Sequence, residues 1–336
     1  MRAATVTIDF DALRHNLARV RFLAPGRGVW ASIKANAYGH GAIAIARVLS
    51  SEGVNGFAVA CLEEALALRE AGIAEPILLL EGPFGPGELA LCVHHSFAVA
   101  VHCEEQLAWL ARSHGLTSPL KVWLKVDSGM HRLGFAPAEA AIAWRRLRDL
   151  AVVHRDITLM THFACADERS NPMTLQQQRR FDQAVAALPG PRSLANSAAV
   201  LNWPTTHGDV VRPGLMLYGI SPFPDTSGVD EHLRPVMTLT TRLIAVRRVA
   251  AGETVGYGAT WRAPTATWIG TAAIGYGDGY DRHLPSGTPV VVNGRLARLA
   301  GRVSMDMIGI DLGTCAETGA EARARVGDPV VLWGEG

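Results

Sequence analysis

The chain switches between two periods of hydrophobicity. Residues 5–10 alternate as a short strand does, whereas 11–23 carry Leu13, Leu17 and Val20 at helical spacing. Short apolar runs then recur at Val29-Trp30-Ala31 and at 56–60, 76–80, 97–101, 120–126, 157–161, 192–195 and 209–212. Between most of them lie Ala/Leu/Glu-rich stretches with helical periodicity, at 62–70, 104–112, 138–150 and 175–188. Eight short strands alternating with helices over about 200 residues predict an α/β fold of the (β/α)8 TIM-like barrel type, because a doubly wound sheet has fewer strands. From about Pro235 the pattern changes. Residues 236–249, 267–274, 289–292, 307–312 and 329–333 read as strands separated by Gly/Asp turns, with little helix between them. The expected organisation is therefore a barrel domain at 1–234 and a mostly β C-terminal domain at 235–336.

Composition narrows the function classes. Of 336 residues, 49% are hydrophobic and 19% charged, enough for a large buried core and unlike a disordered chain. A net charge of +1 gives no reason to expect nucleic acid or an anionic membrane as a partner. The five cysteines (Cys61, Cys92, Cys103, Cys165, Cys315) form no Cys-x-x-Cys pair, which argues for a reducing compartment and against a zinc site or disulfide framework. Asp9 and Asp11 fall where a secretion signal would need an apolar core, and no apolar run approaches membrane-spanning length. The cytosol is the expected location.

Lysine usage points to the chemistry. Among 32 Lys and Arg residues only Lys34, Lys121 and Lys125 are lysines, so arginine serves wherever a plain positive charge suffices. Arginine neither forms a Schiff base nor gives up its proton near neutral pH, so a surviving lysine marks a place that needs an amine. Lys34 follows an apolar run and opens the segment Lys34-Ala35-Asn36-Ala37-Tyr38-Gly39-His40-Gly41, which turns into a helix. That segment resembles the pyridoxal-phosphate lysine segment of alanine racemases. The resemblance implies that Lys34 carries pyridoxal 5'-phosphate covalently and is one of two catalytic bases, and that Tyr38 touches the cofactor phosphate.

Further motifs carry the same resemblance. Strand parity puts Lys121, Trp123 and Lys125 on one face, so Lys125 should point into the barrel, where a buried amine needs a partner or a changed charge state. Residues 125–134 resemble the family's Lys-x-Asp-(Thr/Ser)-Gly-Met-x-Arg-(Leu/Ile)-Gly motif. This implies that Lys125 is carbamylated and orients Arg132, which reaches the cofactor O3′ and the substrate carboxylate. Arg212-Pro213-Gly214 is similar to the segment whose arginine donates to the pyridine nitrogen, with Gly214 and Leu215 offering amides to the phosphate alongside Asn196-Ser197. His162, by the same resemblance, hydrogen-bonds the catalytic tyrosine. Lys34, Lys125, His162, Asn196 and Arg212 all fall at strand ends, the rim where barrel enzymes keep their chemistry.

In the second domain Gly256-Tyr257-Gly258 resembles the segment supplying the second base, Tyr257, whose pKa near 10 needs lowering for that role. Ser304-Met305-Asp306 matches a (Cys/Ser)-Met-Asp segment, which implies that Met305 and Asp306 line the substrate site. Asp167, Tyr276, Arg282 and Arg302 resemble the family's entrance corridor. The family further implies a homodimer with shared active sites, acting on L-alanine and D-alanine. The chain stops at Gly334-Glu335-Gly336 directly after a strand, where the family continues with a helix, further strands and a tyrosine near the phosphate. The expected function is two-base racemisation of alanine; a broad-spectrum racemase of the same fold, or a truncated cofactor-binding protein of impaired activity, are the alternatives.

Overall fold

A computed structural model describes residues 3–113, 115–314 and 324–335; Cys315 lies outside them. The chain divides into two compact units, Phe10–Val236, and Met1–Asp9 with Met237–Gly336. The first strand, β1 (Thr5–Ile8), therefore groups with the β unit and not with the barrel domain in which a 1–234 boundary put it. Its reason is pairing: Thr5 to Ile8 lie antiparallel to Thr240 to Met237. Strand alternation is visible in a sequence, but the choice of partner across more than two hundred positions is not.

Unit Phe10–Val236 holds eight parallel strands: β2 (Gly28–Ser32), β3 (Gly56–Val59), β4 (Ile77–Leu79), β5 (Ala98–Val101), β6 (Lys121–Lys125), β7 (Thr158–Met160), β8 (Arg192–Ser193) and β9 (Val210–Val211). They hydrogen-bond in the order β8-β7-β6-β5-β4-β3-β2-β9. Asp209 N donating to Arg192 O at 2.8 Å and Arg212 N to Ala195 O at 2.9 Å close the ring between its ends. Strands covered on both faces read as continuous apolar runs, and β3 and β5 are buried throughout. Helices supply the outer cover: Leu13, Leu17 and Val20 of helix Phe10–Leu23, and Ala143, Trp144 and Leu147 of helix Ala140–Asp149, are buried.

The β unit is antiparallel throughout: β10 (Met237–Val249), β13 (Thr267–Ala272), β14 (Pro289–Val292), β15 (Arg295–Leu299), β16 (Ile308–Thr314) and β17 (Pro329–Trp333), with a hairpin of β11 (Thr254–Val255) and β12 (Trp261–Arg262). Pairing runs β10-β13-β16-β15-β14-β17 and returns to β10, around a core that includes Leu243, Ile274, Val290, Ile308, Ile310 and Val330. Strand β15 escapes the hydrophobic pattern because most of its Arg-Leu-Ala-Arg-Leu faces solvent.

Candidate active site

The turn after β2 is held in a conformation the residue types disfavour. Ala35, Asn36, Ala37 and Tyr38 all have φ between 51° and 55°, the left-handed region, at a cost on the order of 1–2 kcal/mol per residue. Neighbours hold them there. Ala35 N and Ala60 N donate to the Glu64 carboxylate at 2.6 and 2.8 Å, and Ala42 N donates to Asn36 Oδ1 at 2.8 Å. His40 Nδ1 lies 3.0 Å from the carbonyls of Ala37 and Tyr38. The Tyr38 ring packs on Tyr218 at 5.0 Å, and the buried Tyr218 hydroxyl donates to Ser32 O at 3.0 Å. The strain places Lys34 at the strand end and turns Tyr38 back toward Gly214, where an added Cβ would sit 2.6 Å from Tyr38 Oη.

Both residues line a cavity of about 430 Å³ at the C-terminal mouth of the barrel. Every barrel residue to which the resemblance gives a role lines it: Lys34, Tyr38, Lys125, Arg132, His162, Asp167, Asn196, Ser197, Arg212, Gly214 and Leu215. Four cations therefore share one space. Arg212 is buried, donating to Thr161 O at 2.6 Å and to Ser193 Oγ; burial pulls its pKa down to about 10, so it stays charged near neutrality. Lys125 is pulled down to about 8, chiefly by burial and then by Arg212 and Arg132, with Glu81 opposing. His162 is held well below its ordinary 6.5 by burial, then by Arg212, Arg132, Lys125 and Lys34, and is therefore neutral. Burial raises Tyr38.

Glycine and aspartate shape the loop that carries Arg132. Asp127 Oδ1 accepts from Gly129 N and His131 N, both at 3.0 Å, and a Cβ at Gly134 would lie 2.5 Å from Asp127 N. Beneath it, Ser128 Oγ meets Thr161 Oγ1 at 2.8 Å, and Gln177 Nε2 donates to His162 O at 3.1 Å. Asn196 Oδ1 caps the helix Ser197–Asn202 through Ala199 N at 3.0 Å. Ser197 Oγ accepts from Gly214 N at 2.8 Å, so the Gly214 amide, expected to face a phosphate, is engaged within the protein. Gly214 contributes space instead. Glu64, Glu81, Thr161, Gln177, Ser193 and Tyr218 were not singled out from sequence; each acts through a distant partner that no local motif reveals.

The remaining residues cluster on the β unit. Tyr257 stands in a one-turn helix after Gly256 (φ 75°) and is 72% exposed. A Cβ at Gly258 would lie 3.5 Å from the Arg302 guanidinium, so Tyr257 and Arg302 belong to one surface. Tyr276 N donates to Ser304 O at 3.0 Å and Gly277 N to Met305 O at 2.8 Å, which ties Tyr276 to Met305 and Asp306, and Arg282 lies over the Tyr276 ring at 5.1 Å.

The cavity's donor set suits a phosphorylated pyridine. Hydroxyls of Tyr38 and Ser197 flank Gly214 at one end, a buried guanidinium stands deeper, and an amine stands at the strand end. Family models agree with this chemistry along the chain: the alanine racemase N-terminal domain matches residues 8–222 and the C-terminal domain 236–336. The chain belongs to the alanine racemase family.

Alanine racemases from Shewanella piezotolerans and Vibrio cholerae are 52% identical over 328 residues and 50% over 334, covering 98% and 99% of this chain and 89% and 90% of those proteins. Among solved structures, the biosynthetic alanine racemase of Pseudomonas aeruginosa superposes with a TM-score of 0.93 at 50% identity, over 99% of this chain and 91% of that one. Alanine racemase from Acinetobacter baumannii does so at 0.91 and 40%, with 99% and 91% covered. As a member of this family the chain is an isomerase that interconverts L-alanine and D-alanine with pyridoxal 5'-phosphate. Among the described residues no helix is long and apolar enough to cross a membrane.

Proposed function

We propose that Lys34 and Tyr257 of the partner subunit are the two bases of this racemisation, acting on opposite faces of alanine. The observation that carries the reading is the convergence of Lys34, Arg132, Arg212, Tyr38 and Ser197 on one cavity. Bound there, pyridoxal phosphate supplies the electron sink that lets the Cα–H bond of alanine ionise. Tyr38 and Ser197 hydroxyls and the Leu215 amide would bind the phosphate, with Asn196 capping the helix that starts at Ser197, and Gly214 leaves room for it. Arg212 would donate to the pyridine nitrogen while keeping its own proton, which would leave the sink weak and favour reprotonation at Cα over side reactions. Arg132 holds the substrate carboxylate.

Lys34 Nζ takes or returns the proton on one face, and Tyr257 Oη of the partner subunit does so on the other. Neutral His162 is the hydrogen-bond partner that tunes that hydroxyl. Met305 and Asp306 of the partner subunit line the substrate space, and Asp167, with Tyr276, Arg282 and Arg302 of the partner subunit, forms the entrance. The reading is supported by the exposure of Tyr257 and Met305, 72% and 55%, which suits groups that act on another copy. Lys125 is carbamylated: its amine, with a pKa of about 8, adds CO2 and releases a proton, and the resulting anion relieves the three remaining cations, Lys34, Arg132 and Arg212, and orients Arg132. The protein works in the cytosol, which suits its free Cys61, Cys92, Cys103 and Cys165.

The test mixes two inactive variants, Lys34→Ala and Tyr257→Phe, after dissociation and reassociation. In a shared-site dimer the mixed species has one intact site, so circular dichroism of L-alanine decays at up to roughly a quarter of the wild-type rate. No recovery on mixing, with both variants folded and dimeric, sinks the shared-site reading.

A further inference from the structure

The barrel has a second cavity at the opposite mouth, where its strands begin. Its volume is about 390 Å³, and Trp30, Trp123, Lys121, His154, Thr158 and Val210 stand on its wall. Strand alternation links it to the catalytic cavity: Trp30 and Ser32, Lys121 and Lys125, Thr158 and Met160, and Val210 and Arg212 each put the first residue here and the second there. One layer of side chains separates the two, with Leu78, Ala98, Ala100, Trp123 and Met160 buried in it. Barrels of this type ordinarily fill that mouth with branched side chains. Here Gly56 and Ala98 contribute almost nothing, and Trp30 takes the space of a missing side chain: a Cβ at Gly56 would lie 2.9 Å from its ring.

The wall has a definite chemical character. Trp30 and Trp123 meet edge to face, with centroids 4.8 Å apart and an interplanar angle of 62°, and so offer an aromatic corner. Asp156 N donates to His154 Nδ1 at 3.2 Å, and the Asp156 carboxylate, 3.8 Å from that nitrogen, is largely exposed to solvent. Lys121, exposed at the rim, has no ion pair among the described residues. It is also the one lysine of three that the racemisation does not use, in a chain that assigns plain surface charge to arginine.

We propose that this mouth is a second binding pocket, for a flat aromatic monoanion of one or two rings. The ring lodges in the Trp30–Trp123 corner, and the carboxylate accepts from Lys121 Nζ. An apolar cavity of this size with one convergent charge is the usual form of a small-molecule site, and Lys121 supplies the orientation.

The probe is 2-naphthoate, titrated calorimetrically into the pyridoxal-phosphate-loaded enzyme with saturating alanine in the catalytic cavity. Binding is expected to persist under alanine, and to weaken about tenfold in Lys121→Met, the loss of one charge-assisted contact. Lys121 is exposed and outside the catalytic machinery, so that variant keeps its fold and its racemase rate. Neutral 2-naphthamide is expected to bind the wild type and Lys121→Met equally. Absence of saturable binding, displacement of naphthoate by alanine, or equal naphthoate affinity in Lys121→Met would each overturn the proposal.

Discussion

In the barrel, Arg212 is buried and tied to Thr161 and Ser193, while Lys125 and His162 are displaced from their ordinary protonation by burial and by neighbouring cations. On the β unit, Tyr257 stands 72% exposed on a one-turn helix. The two regions meet different solvents. Low dielectric and fixed donors have already set the charge states in the barrel, whereas the Tyr257 phenol stands in water. The barrel thus fixes the surroundings of its charged groups within one chain, and the β unit leaves Tyr257 open to solvent.

The sharpest way to break this comparison is to remove from each region the residue proposed as its base. Lys34→Ala is expected to lose racemisation by at least ~10⁴-fold together with the visible absorbance of lysine-bound cofactor. Tyr257→Phe should lower the rate by ~10²–10⁴-fold and leave that absorbance in place. An absorbance change in the tyrosine variant comparable to that in the lysine variant would show that the β unit also builds the cofactor site.

Gly214→Ala tests the cradle with a smaller effect. Its new Cβ would meet Tyr38 Oη at 2.6 Å, so cofactor affinity should fall about ten- to a hundredfold with little loss of fold, as measured by titrating the apoenzyme with pyridoxal phosphate. Unchanged affinity would remove Tyr38 from the phosphate site.

His162 tests burial as the source of the barrel's charge pattern. Its folded pKa lies well below 6.5, so below pH 6.5 the unfolded chain binds a proton that the folded one refuses, and stability falls as pH falls. The slope from this group reaches at most ~1.4 kcal/mol per pH unit. Urea midpoints taken between pH 7 and pH 5 should drop less steeply for His162→Gln than for the wild type; parallel curves would mean that the histidine protonates freely when folded. The smallest expected effect is that of Glu64→Ala, which frees the amides of Ala35 and Ala60 and should cost about 1–2 kcal/mol in thermal unfolding.

Much of this site could be read before any fold was known, because its chemistry sits in short runs whose residue types are dictated locally. Lys34 to Gly41 needs small residues, an asparagine and two glycines to make its left-handed turn, and the loop from Asp127 to Gly134 needs an aspartate to accept its amides and a glycine that grazes the strand. Strand parity likewise anticipated that Lys125 shares the inward face with Trp123. That the four residues ahead of Gly39 also take positive φ was not legible, since none of Ala35, Asn36, Ala37 and Tyr38 demands it. Glu64, Gln177 and Ser193 were equally hidden: they act on backbone and guanidinium groups supplied by other strands.

From the amino-acid order alone came the alternation of eight apolar runs with helices, the change of texture near residue 235, and the segments that carry Lys34, Arg132, Arg212 and Tyr257. Periodicity and turn chemistry are local, so a sequence can state them. Tertiary structure alone decided that β1 leaves the barrel for β10, that the Gly214 amide is spent on Ser197, and that four cations face one cavity. It also decided that Lys121 and Lys125, four residues apart on one strand, open into different cavities. Those outcomes depend on which distant groups meet and how much water they exclude, and both are properties of the closed barrel.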